Sequence, residues 1–157
     1  MSGLDPGSIT PADAVVALRS YPRRWKGAFA VVEDEDEGDA LLKRGDPSAL
    51  DLLGHSVSAL RAADGWLRTI LVDDRPELAP PADVAAQSVD DLEAAADALT
   101  RTVESVPPDD WYRAGVTDGA ETTALDVVRN AVVTVSDDLR QAERTLREQV
   151  GRPDESA

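Results

Sequence analysis

Apolar residues in this chain return every three or four positions in four separate stretches, the period that turns one face of an α-helix inward. The first follows Thr10-Pro11, an N-cap with proline at the first helical position, and Val15, Leu18, Trp25, Phe29 and Val32 keep step along it. Pro22 lies inside that run, so a bent helix is expected there, or else a break near Tyr21. The second opens on a capping box, Ser48 with Asp51, and carries Leu53, Val57, Leu60, Leu67 and Leu71 on one face. Ser88 with Asp91 opens the third, with Leu92, Ala95, Leu99, Val103 and Val106, and Pro107-Pro108 ends it. Thr123 with Asp126 opens the fourth, with Val128, Ala131 or Val132, Val135, Leu139, Ala142 and Leu146, and Gly151-Arg152-Pro153 stops it. The pattern predicts helices near 11–32, 48–73, 88–106 and 123–150, and four amphipathic helices joined by loops describe a four-helix bundle.

The intervening segments read as connections. The acidic run Glu33 to Glu37 opposes a helix C-terminus and is expected to be a solvated loop, with Asp39 to Arg44 a short helical turn. Pro76, Pro80 and Pro81 keep Asp73 to Asp83 from being helical. Residues Asp109 to Thr122, with Trp111, Tyr112, Gly115 and Gly119, read as a loop pinned by the tryptophan. The whole chain, 1–157, is then a single all-α domain with loose ends at about 1–9 and 152–157.

Three positions depart from the pattern. Gly54, inside the second helix, predicts the close approach of a neighbour or ligand. Asp64 falls on the Leu53 face, where a carboxylate needs a partner, and an arginine from another helix is expected. Val127, Val128, Ala131, Val132, Val133 and Val135 form a band too wide for one inward stripe. That band predicts a homodimer through the helix 123–150, or alternatively a covering loop from Asp109 to Thr122.

Composition narrows the function. The formal charge is −15, and 14 of the 16 basic residues are arginines spread along the chain without a block. That excludes a basic face for nucleic acid or anionic lipid. There is no cysteine, so thiolate metal sites and a cysteine nucleophile are excluded too. No apolar run approaches the length of a membrane-spanning helix, Met1 to Thr10 lacks the features of a signal peptide, and a cytoplasmic protein is expected.

Candidate chemistry gathers around His55, the only histidine. It lies on the stripe of Leu52, Ala59, Ala62 and Trp66, beside the core stripe, and so points to the interior or its rim. On the fourth helix Asn130, Thr134 and Asp138 recur at every fourth residue.

With the helices placed, the sequence resembles the DinB/YfiT-like family, which includes thiol-dependent transferases and mycothiol-dependent maleylpyruvate isomerases. The resemblance rests on Leu18 to Arg24, Pro47 to His55, Ala63-Asp64, Leu71 to Pro76, Pro108 to Trp111 and Thr123 to Arg129. It implies a divalent metal held by a histidine of the second helix and a His-x-x-x-His pair on the fourth. His55 matches the first ligand; Thr134 and Asp138 stand at the pair, Asn130 at a position often histidine, and Ser58 where an acid is usual. One imidazole and one carboxylate make a poor zinc or nickel site, so no cofactor is expected; His55 and Asp138 are the ligands left if a metal does bind. The expected function is a non-metal bundle binding a small ligand or partner through His55, Ser58, Asn130, Thr134 and Asp138. The alternative is a metal-assisted, thiol (mycothiol)-dependent transferase or isomerase using His55 and Asp138.

Overall fold

The computed structural model describes residues 6–33, 38–80 and 88–151. Its elements are α1 (Pro11–Ala30), α2 (Gly38–Lys43), α3 (Ala49–Val72), α4 (Val89–Ser105), β1 (Ala114–Thr117), β2 (Ala120–Thr123) and α5 (Ala124–Gly151), with 3-10 turns at Pro6–Ser8 and Pro108–Tyr112. The chain is an all-α four-helix bundle of α1, α3, α4 and α5.

Helix starts follow the capping signals. The Thr10 hydroxyl accepts from Asp13 N, and the Asp13 carboxylate accepts from Thr10 N, both at 3.1 Å. Ser48 and Asp51 make the same reciprocal pair at 3.0 and 2.9 Å. Each pair satisfies two amide protons that a helix start leaves unbonded. The helix α1 passes through Pro22 unbroken. Proline forgoes one backbone bond, but Tyr21, Pro22 and Trp25 are all buried, and that packing holds the helix together. The Tyr21 hydroxyl donates to the Val132 carbonyl at 3.0 Å and shares a bond with Ser136 Oγ at 2.7 Å, tying α1 to α5.

Such contacts fix the helix directions. Arg129 Nε donates to the Ile9 carbonyl just ahead of α1, and Ser136, further along α5, reaches Tyr21, so α1 and α5 are parallel. Asp138, late in α5, meets His55 and Ser56, early in α3. At the other end Arg113, bonded to the first residue of α5, reaches the Ile70 carbonyl, so α3 and α5 are antiparallel. The C-terminal ends of α3 and α4 meet where Thr102 faces Asp64 and Arg68, which makes those two parallel. The order is up, down, down, up, with α3 packed on α4 and α5, and α1 on α4 and α5.

Three expectations need correction. Residues 109–122 are not a loop but part of a 3-10 turn and an antiparallel hairpin, with Ala114 opposite Thr123 and Thr117 opposite Ala120. Asp118 and Gly119 take left-handed φ values of 51° and 78° at its two-residue turn. Asp64 is partnered by Thr102 of α4, whose hydroxyl donates to it, and by Arg68 of its own helix at 3.3 Å, not by an arginine from another helix. Ile9, expected within a loose N-terminal end, is buried, and a 3-10 turn precedes it. Of the valine band, Val127, Val128, Ala131, Val132 and Val135 are buried within one chain, and Val133 is half-buried. Buried Trp111 and its 3-10 turn pack on α5, as the covering-loop alternative requires. Residues 34–37 of the acidic run, 81–83 of the connection and the end from 152 lie outside the described residues.

Candidate functional site

One stripe of α3 and one of α5 face each other without closing. On α3 the stripe is Asp51, His55, Ser58, Ala59, Ala62 and Trp66; on α5 it is Val127, Asn130, Ala131 and Thr134. Small side chains, with Gly54 and Ala63 beside them, leave a cleft of about 600 Å³ between the helices. Gly54 lines this space as well. Thr117 of β1 and Thr122 of β2 complete the wall.

The hairpin is held against the end of α3. Arg113 Nε donates to the Ile70 carbonyl at 2.9 Å and its Nη2 to the Asp73 carbonyl at 3.1 Å, satisfying acceptors that the helix end leaves free. The backbone of Pro76 to Leu78 pairs with Val116 through two 2.8 Å bonds, and Arg75 meets Glu121 at 2.7 Å. Trp66 Nε1 donates to the Ala79 carbonyl at 2.7 Å, fixing the indole at its end of the cleft.

At the opposite end the geometry centres on Asp138. Its side chain is 11% exposed, and Oδ2 accepts from His55 Nδ1 at 2.7 Å and from Ser56 Oγ at 2.9 Å. Burial pushes the Asp138 carboxyl above its ordinary value, outweighing the bonds from His55 and Ser56 that hold it down. When the Asp138 carboxylate is ionised it can only accept, which puts the proton between them on Nδ1 and leaves Nε2 as the remaining ring nitrogen. The His55 side chain is 64% exposed, which places it on the rim of the bundle and not in its core.

Of the five candidates from the sequence, His55, Ser58, Asn130 and Thr134 line the cleft, and Asp138 stands behind His55 without lining it. Sequence reasoning missed Ser56, which shares Asp138, and the hairpin threonines Thr117 and Thr122. Ser56 carried no signal, since a serine in a helix is ordinary. The hairpin did carry one, Asp118-Gly119 between residues of strand propensity. Asp51 was legible as a cap but not as a cleft residue.

Among the described residues no three His, Cys, Asp or Glu side chains gather as a metal site would require. None of the described helices is long and apolar enough to cross a membrane.

Comparison with protein-family models and with curated proteins finds no match. Among solved structures the bundle superimposes on YfiT from Bacillus subtilis with a TM-score of 0.76, over 98% of this chain and 95% of that one, at 13% identity. The chain has the YfiT fold. YfiT is described as a probable metal-dependent hydrolase with an unusual four-helix bundle topology. At this identity the likeness extends to the arrangement of helices, and the up-down-down-up order of α1, α3, α4 and α5 is part of it.

Proposed function

We propose that this YfiT-like bundle binds a small organic molecule, without a transition metal, in the cleft between α3 and α5. The observation that carries the reading is the cleft itself: about 600 Å³, walled by alanines, Val127 and Trp66, with His55, Ser58, Asn130 and Thr134 among its polar groups. Apolar walls with a few convergent polar groups are the usual make-up of a small-molecule site.

The donor set does not fit zinc or nickel. His55 Nδ1 and Asp138 Oδ2 are bonded to each other, and Ser56 takes the same oxygen. Thr134 and Asn130 offer only neutral oxygen or amide groups, which bind zinc and nickel weakly at neutral pH. In the DinB/YfiT-like pattern a histidine pair stands at the positions of Thr134 and Asp138, and histidine is frequent at that of Asn130, so these residues read as a lost metal centre in a retained pocket.

Elemental analysis of protein purified without a histidine tag should find no stoichiometric zinc or nickel after dialysis, while a thermal-shift screen of neutral and charged small molecules finds stabilisers. Close to one zinc or nickel per chain would overturn the metal-free reading. A screen without stabilisers would overturn the binding reading. Thr134→His with Asp138→His should create metal binding where the pocket geometry is kept.

One observation favours a second reading, an enzyme acting on thiols. The 2.7 Å bond to Asp138 orients the His55 ring and leaves Nε2 to take a proton, the arrangement of a general base. Turnover of a thiol with an electrophile, lost in His55→Ala, would support it.

A further inference from the structure

The charge around the cleft is one-sided. No lysine or arginine lines it among the described residues, and Asp51 is the one lining side chain with a fixed charge. The Ser48 amide and hydroxyl hold the Asp51 carboxyl below its ordinary value, so it is ionised at neutral pH. His55, one helical turn further on, already has Asp138 as its counter-charge, so even a protonated imidazole leaves no net positive charge there. The α3 N-terminus would ordinarily favour an anion, but Asp51 and Ser48 already occupy that role in the capping box. A carboxylate or phosphate entering the cleft would therefore meet Asp51 uncompensated. An ammonium group would meet Asp51 as partner at this end of the cleft, the end where His55 and Asp138 also stand. Beyond them the walls are Ala59, Ala62, Ala131 and Val127, ending at the Trp66 indole.

We infer that the cleft selects an amphipathic amine, a cationic head on an apolar body, over an anion of the same shape. The inference rests on the cleft-binding reading and specifies its ligand class. Beside Asp51, which is exposed, the ammonium keeps both a counter-charge and water, and the apolar body replaces water along the alanine walls.

The test is calorimetric titration of the full chain with three probes that share one tail: octylamine, octan-1-ol and octanoate, each below its aggregation concentration. At about pH 7.5 the first is an ammonium and the last a carboxylate. Salt of about 0.15 M, where the screening length is about 8 Å, suppresses attraction to the acidic surface at large. Octylamine should bind roughly tenfold tighter than octanol, and octanoate weakest. Asp51→Asn should bring the amine to within about twofold of the alcohol, whereas Asp13→Asn, the matching cap on α1, should change neither. Ala62→Trp should fill the cleft and abolish binding of all three; Ala59→Leu serves if that variant does not fold. Octanol or octanoate binding as tightly as octylamine overturns the inference and leaves the cleft reading standing. Amine binding that survives filling the cleft also overturns it, because the site would be the surface. Binding by none of the three overturns the inference and the cleft reading together.

Discussion

His55 is gripped from one edge only, by a carboxylate that also serves Ser56. Ser56 is fully buried, so Asp138→Ala would leave its hydroxyl without that acceptor, at a cost of about 1–3 kcal/mol. Urea unfolding should show that loss, and adding Ser56→Ala should recover part of it; full additivity of the two changes would mean that the bond contributes nothing. The His55 ring resonances should broaden or shift in the same variant. The capping acids carry a pH signature of definite sign. Asp13 and Asp51 are held below the ordinary value of 3.8 by their bonds to Thr10 and Ser48. Their contribution is therefore present above 3.8 and lost as pH falls through the lowered values. Asp138, raised by burial, contributes in the opposite sense, its share fading as pH rises through the raised value. Melting Asp13→Asn beside the wild type across the acid range should show their difference shrinking toward low pH; a constant or growing difference would contradict the capping account. At this scale the sequence exposed His55 as a rim residue because helical periodicity assigns a direction to each side chain. It could not show that Asp64 would be met by Thr102, since the partner lies on a helix 38 positions away.

Among the elements, the four long helices were legible because start signals and apolar spacing agree at every one: Thr10, Ser48, Ser88 and Thr123 stand within a residue of the observed starts. The hairpin was marked only at its turn, Asp118-Gly119. Its strands have four residues each, too short for alternation to declare itself, and β1 is completed by the distant Pro76 to Leu78 backbone. Gly115 marks how closely it fits. A Cβ there would stand 3.1 Å from Ile70 Cγ1 and from two carbons of Leu78. Gly115→Val should therefore overpack this junction, at about 1–3 kcal/mol, and displace the cleft wall formed by Thr117 and Thr122. Reduced thermal stability together with altered ligand affinity is the expected outcome; unchanged stability would mean that the hairpin is not seated on α3 in this way.

For the molecule as a whole, periodicity says which face of a helix is buried but not which helix it meets. The bundle was therefore readable and its up-down-down-up order was not. In that order α1 and α5, near opposite ends of the sequence, lie side by side and parallel, joined by Tyr21 and Ser136. Of the four bundle helices, the consecutive pair that packs, α3 and α4, is parallel, so the end of α3 and the start of α4 lie at opposite ends of the bundle. The molecule thus lacks the local helix pair that usually condenses first. Its largest contacts, α3 on α5, form only after long loops have closed, and the entropy of closure precedes the reward. Folding should be slow for an all-helical protein, with search along the chain as the bottleneck and helix formation already fast. Doubling the length of the 73–88 connection with glycine and serine should slow refolding in stopped-flow by about two- to threefold, from a closure cost of about 0.6 kcal/mol. The unfolding rate should stay as it is, because that cost is incurred before the barrier is crossed.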